Sequence, residues 1–266
     1  MNEVNRHLDF TEIRRSMENA LETGELGKVD TPLEHYHTEE LYGRRIFVPA
    51  GTVVLTKVHK KEHITVALKG TCTVVDLRKN KTKVVAPAVF VTKPGTQRWI
   101  YAHDDVEWLT VHACEEQSIP NIEAMLVCDS FEELDREDYK KVLKAYNMTE
   151  AEAREMSENP RSQMMMPTHE MKTRIAPSKR EGMGVFANED IKQGERIGPV
   201  RVGYLRTPIG RYTNHSMNPN CEFNQCLDGL DAYATVDIAK DQEITVCYHA
   251  AREAGIEASR RLENRS

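Results

Sequence analysis

Cysteine is sparse and unpatterned in this sequence. The six residues, Cys72, Cys114, Cys128, Cys221, Cys226 and Cys247, include no Cys-x-x-Cys pair, which argues against a disulfide framework and a self-contained zinc cluster and leaves reduced thiols as the expectation. Long apolar runs are missing too: none approaches the roughly 20 residues a membrane span requires. The opening residues, Met1 to His7, lack the apolar core of a secretory signal. A soluble, cytoplasmic protein with no membrane partner is expected. Basic excess is also lacking, because 36 Lys and Arg stand against 42 Asp and Glu, a net charge of -6. A polyanion would be repelled, so nucleic acid is disfavoured and a basic protein partner fits better.

What is present is ordinary globular material, 39% hydrophobic and 29% charged over 266 residues, a length suited to two modest domains. Asp9-Phe10-Thr11-Glu12 has capping-box spacing and predicts a helix to about Gly24. From about Leu41 to His112 short β-rich runs follow: 45–48, 52–56, 64–68, 72–75, 89–92 and 107–112. Turn signals such as Pro49-Ala50-Gly51, Lys69-Gly70 and Lys93-Pro94-Gly95 separate them, at the close spacing of an all-β sandwich or barrel. Ser130 to Glu133 and Thr149 to Glu152 repeat the capping box and open two charged helices. Asn159-Pro160 and Met166-Pro167 then break the helical pattern, which predicts a boundary near 160. The expected organisation is a helical leader over 1–40, a β-domain over 41–120, a helical connector and linker over 121–166, and a second domain over 167–266.

Three strings in the second half stand in order: Glu181-Gly182-Met183-Gly184-Val185-Phe186, then Arg211-Tyr212-Thr213-Asn214-His215-Ser216 continuing to Pro219-Asn220, then Glu243-Ile244-Thr245-Val246-Cys247-Tyr248. Singly each is weak. A Gly-x-Gly usually marks a turn, a lone histidine a hydrogen-bonded structural residue, and a lone tyrosine a packed ring. Together, over about residues 172 to 250, they resemble the signature of SET-domain lysine methyltransferases. The resemblance implies a compact β fold with a threaded pseudoknot, S-adenosylmethionine as cofactor, and a lysine-bearing protein as substrate. Carried over residue by residue, it implies cofactor contacts from Gly182, Met183, Gly184, Arg211, Tyr212, Asn214, His215 and Tyr248, with Tyr248 as the catalytic residue that orients the amine. Tyr204 and Tyr212 are candidates to line the lysine channel. The stretch from Arg196 to Gly210 is shorter than the family's usual insert, and Met217 stands where many relatives carry a zinc-binding cysteine. Cys247 replaces a common acidic residue. The helix-prone segment 250–262 either covers the channel or is a solvated helix.

In the first half, Pro49-Ala50-Gly51, His59-Lys60-Lys61-Glu62-His63 and Pro94-Gly95-Thr96-Gln97-Arg98 resemble a degenerate cupin, including cupin-like proteins found among phage genes. The resemblance implies a β-barrel and places His59 and His63 at two of the family's metal-ligand positions, with His103 or His112 available to complete a site. Lys57 and Arg98 occupy the other two positions, and cations there repel a metal ion, so the metal-free reading is preferred. The fold expectation is mainly β with α connectors: a cupin-like barrel, possible homodimer contacts through it, and a SET-type fold. Two alternatives stand beside methyl transfer, an inactive scaffold in phage assembly or host interaction, and a metal-dependent cupin enzyme. Were the chain phage-encoded, its location would be the host cytoplasm.

Overall fold

The structure is a computed structural model and describes residues 10–166 and 172–263. The chain divides into an N-terminal unit, His7–Ser130, and a C-terminal unit that begins at Phe131. The N-terminal unit opens with α1 (Phe10–Glu22), so the leader helix forms, although Asp9 of its predicted cap lies outside the described residues. The strands are β1 (Leu33–His37), β2 (Leu41–Val48), β3 (Val53–Leu55), β4 (Val58–His59), β5 (His63–Lys69), β6 (Thr71–Val75), β7 (Lys81–Val85), β8 (Ala88–Thr92), β9 (Trp99–Ala102) and β10 (Val106–Ala113). Then come α2 (Ile119–Leu126) and β11 (Val127–Cys128). Two antiparallel sheets, ordered β1-β2-β10-β5-β8 and β3-β9-β6-β7, enclose one core in which Val48, Ala67 and Trp108 of the first meet Cys72, Val74 and Ile100 of the second.

All six expected strands are found, and the alternation of β5 explains why: His63, Thr65 and Ala67 point inward and are buried. The leader expectation needs correction, because 1–40 contains β1, which pairs with β2 along its length. The outward row of β5 and β8 is apolar, with Ile64 opposite Val91 and both exposed. Gly70, between β5 and β6, has φ +82, and a Cβ there would stand 2.3 Å from the Asp105 carbonyl oxygen. Gly70→Ala is therefore expected to cost the N-terminal unit about 1–3 kcal/mol from strain and overpacking, read as a lower urea midpoint. An unchanged midpoint would refute the close approach.

The C-terminal unit comprises α3 (Phe131–Ala145), α4 (Glu150–Glu158), β12 (Thr173–Pro177), β13 (Met183–Ala187), β14 (Arg196–Val202), β15 (Leu205–Arg206), α5 (Pro208–Tyr212), β16 (Asn214–His215), β17 (Cys221–Gln225), β18 (Gly229–Ala234), β19 (Glu243–Val246) and α6 (Tyr248–Glu263). Thr149 and Glu152 close a reciprocal capping box on α4, as their spacing predicts. The boundary near 160 is corrected to 130/131, since α3 and α4 cluster with the C-terminal unit. Two sheets, β12-β13-β19-β16 and β15-β14-β18-β17, share a core built from Val185, Ile197, Ile209, Leu230, Ile244 and Val246. Within the first sheet β16 and β19 run side by side in parallel, Asn214 beside Thr245 and His215 beside Val246. This is the pairing that brings two of the sequence strings together.

Candidate functional site

The string around Gly182 forms the turn into β13, and Gly182 adopts φ +45, a left-handed conformation that favours glycine. Opposite it, β16 delivers the Asn214 side chain. The Asn214 amide nitrogen donates to the Glu181 carbonyl at 3.1 Å, the Met183 carbonyl at 3.3 Å and Glu243 Oε1 at 2.9 Å. One buried amide thus ties the glycine turn to β16 and to the start of β19. Gly184 serves the same junction from behind. A Cβ there would come within 2.4 Å of Glu243 Oε1, so the glycine leaves room for a carboxylate that also accepts from Ser178 Oγ at 2.7 Å.

His215 is fully engaged. Its Nδ1 accepts from the Tyr248 backbone N–H at 3.1 Å, so in the neutral ring Nε2 carries the proton and donates to Asp138 Oδ2 at 3.0 Å. Burial holds its pKa below the ordinary histidine value. With both nitrogens used and the ring kept neutral, His215 positions Tyr248 rather than moving protons. Asn220 does similar work for β19: its amide donates to the Glu243 carbonyl at 2.8 Å and its Oδ1 accepts from the Thr245 N–H at 2.8 Å.

Tyr248 begins α6, directly after β19, with its hydroxyl donating to the Thr213 carbonyl at 3.2 Å. Its ring lies 5.1 Å from that of His215 and meets Tyr139 edge-on at 5.9 Å. Burial, with Tyr139 adding a smaller effect, raises the phenol above its ordinary pKa, so the group stays protonated and is no general base.

A cavity of about 360 Å³ opens in front of these groups, lined by Gly182, Met183, Arg211, Tyr212, Asn214, His215 and Tyr248. Seven of the eight residues expected to hold a cofactor share this wall. Gly184 does not line it, and its part is the packing against Glu243 described above. Tyr204 is 63% exposed and does not line the 360 Å³ cavity.

Sequence reasoning missed the contribution of α3, read there as a connector. Asp135 accepts from the Met217 N–H at 2.6 Å and pairs with Arg180, while Asp138, one turn on, holds His215 and lies 3.3 Å from His249 Nε2. Burial pushes the Asp135 pKa up, with Arg180 and the Met217 N–H opposing it. Two donors on its oxygens fit the carboxylate. The legible signal was two aspartates three apart, Asp135 and Asp138, among the apolar positions Leu134, Val142 and Leu143 of one helix.

In the N-terminal unit, His59 and His63 do come together, ring centroids 4.6 Å apart, and His112 rather than His103 joins them at 4.2 Å from His63. His103 instead bonds Thr73 Oγ1 at 2.8 Å. The three rings line a cavity of about 290 Å³ together with Arg98 and Lys57. His63 Nδ1 donates to the Lys61 carbonyl at 3.1 Å, which leaves Nε2 as a buried acceptor without a partner. Burial pushes His59 and His112 down to about 3, with His63 adding to it. Among the described residues no group of three or more His, Cys, Asp and Glu is arranged to hold a metal ion.

No curated protein matches the sequence. Solved structures with local similarity include a cupin-superfamily protein from Desulfitobacterium hafniense, at 10% identity and a TM-score of 0.29, covering 33% of this chain and 81% of that one. An RmlC-like cupin-family protein with a double-stranded β-helix fold, from Methanocaldococcus jannaschii, matches at 15% identity and a TM-score of 0.29, covering 34% and 84%. Salicylate 1,2-dioxygenase from Pseudoaminobacter salicylatoxidans, in a structure of its adducts with gentisate, gives 15% identity and a TM-score of 0.31 over 47% and 38%. Likeness at this level carries no argument about activity. The family comparison falls on the other unit, where residues 201–249, which include Arg211, Asn214, His215 and Tyr248, match the model of the SET domain.

Proposed function

We propose that the C-terminal unit transfers a methyl group from S-adenosylmethionine to a lysine side chain of a protein. The observation that carries this reading is the meeting of three separate strings at Tyr248, in the wall of one cavity large enough for a nucleoside-sized ligand. The residues fit the donor's chemistry. Arg211 Nε is buried in that wall with no acceptor among the described residues, ready for a carboxylate, and Tyr139, Tyr212 and Tyr248 line the same cavity with aromatic rings. Gly182 keeps its side open, with nothing within 4 Å of a would-be Cβ.

When bound, the donor supplies an electrophilic methyl group. The chain's own contribution is position and dryness. His215 and Thr213 fix Tyr248 from two directions, one through its backbone N–H and one through its hydroxyl. The protonated phenol oxygen keeps lone pairs with which to hold an incoming amine in line. Asn214 fixes the turn at Gly182 against which the donor's amino-acid end would rest.

Calorimetry with S-adenosylmethionine tests the reading. Binding by the wild type, weakened by about ten-fold or more in Asn214→Ala, followed by label entering a protein in the presence of labelled donor, is the expected result. A folded wild type that binds no donor would sink it.

A further inference from the structure

Beyond Tyr248, on the side away from the glycine turn, a half-open cavity of about 670 Å³ lies between α3, α4, α6 and the β14–β15 hairpin. Tyr139, Ala153, Ser157, Arg211 and Tyr248 line both this space and the 360 Å³ cavity, so the two spaces adjoin. Val142, Leu143, Phe223 and Ile256 give the wall an apolar floor suited to an aliphatic side chain. Its charges are all of one sign: Arg201, Arg206, Arg211 and Arg252 line it, with no Asp or Glu. That concentration runs against the chain's net charge of -6.

Arg211 donates Nη1 to Gln163 Oε1 and lies over the Tyr212 ring, whereas the other three are less fully engaged. Arg201 and Arg206 stand directly opposite each other in the β14–β15 pairing, a like-charge juxtaposition that destabilises a ladder unless an anion relieves it. Arg201 spends Nη1 on Ser259 Oγ at 3.2 Å, while its Nε and Nη2 are buried with no acceptor. Arg252 rests over the Tyr146 ring at 4.0 Å. Among the described residues, none of the four is in an ion pair.

We propose that this cavity receives the substrate segment, and that the segment is acidic: carboxylates flanking the target lysine answer the arginine wall while the lysine stem runs along the apolar floor to Tyr248. This rests on the methyl-transfer reading above and deepens it. It also reverses the expectation of a basic partner, which followed from net charge alone and ignored where the charge sits. The same wall favours the uncharged form of the incoming amine, because neighbouring cations disfavour an ammonium, and only the uncharged amine has the lone pair that displacement needs.

The test uses the full chain and labelled peptides identical except for the residues flanking one lysine, which are glutamate, glutamine or lysine. Anisotropy reads binding without any methyl donor. Glutamate-flanked peptide is expected to bind about ten-fold tighter than glutamine-flanked peptide at low salt, with the margin shrinking as salt rises. Arg206→Glu should reverse the ranking. Arg252→Glu, on the exposed side of α6, should erode it and serves if the first variant does not fold. Equal binding across the series, a preference for lysine flanks, or an acidic preference that survives both substitutions overturns the proposal. Donor binding is measured separately, so failure here is distinguishable from failure of the methyl-transfer reading.

Discussion

Asp135→Ala is expected to destabilise the C-terminal unit by about 3–5 kcal/mol, the cost of breaking a buried ion pair from one side. The substitution strands the Arg180 guanidinium, whose side chain is 19% exposed, and removes the acceptor of the Met217 N–H. Glu243 Oε2 faces Arg180 Nε at 3.6 Å while Oε1 is held by Ser178 and Asn214, so this longer contact offsets only part of the loss. Urea unfolding followed by a probe in this unit measures the effect. Asp135→Asn should lose less, since the amide oxygen still accepts from Met217. A loss under about 1 kcal/mol in Asp135→Ala would mean that α3 is not an anchor of the site.

Tyr248→Phe should separate chemistry from stability. The hydroxyl's only protein partner among the described residues is the Thr213 carbonyl, and one such bond is worth about 0.5–1.5 kcal/mol to folding. Packing against His215 and Tyr139 survives in phenylalanine. On the proposed reading methyl transfer, by contrast, would lose the oxygen that aligns the amine, and misalignment of a reacting atom costs about 10²-fold in rate. Labelled-methyl assays should show that loss while donor affinity, read by calorimetry, stays within about three-fold. An unchanged rate would move the chemistry away from Tyr248.

The strands of the N-terminal unit and the three strings of the C-terminal one were legible because each depends on local pattern. Period-two burial marks β5, and Gly182, Asn214 and Tyr248 keep both their order and their residue types. What could not be read is pairing across distance. Nothing local says that Asp135 and Asp138 of a charged helix turn inward to hold segments 82 and 77 residues later. Gly184 looked like a backbone approach to a ligand and proves to be space for Glu243. Net charge pointed to a basic partner, whereas the arrangement of Arg201, Arg206, Arg211 and Arg252 is visible only once β14, β15, α5 and α6 surround one space.

The clasp between α3 and residues 214–217 also bears on how the C-terminal unit folds. Each of its bonds closes a loop of roughly eighty residues, and the entropy of that closure is recovered only when the sheet and α6 are already packed. Contacts of such long sequence separation fold slowly and late. The wall that His215 and Tyr248 give the 360 Å³ cavity is therefore expected to close late in folding, and on the proposed reading a chain arrested partway would hold native-like strands without binding the donor.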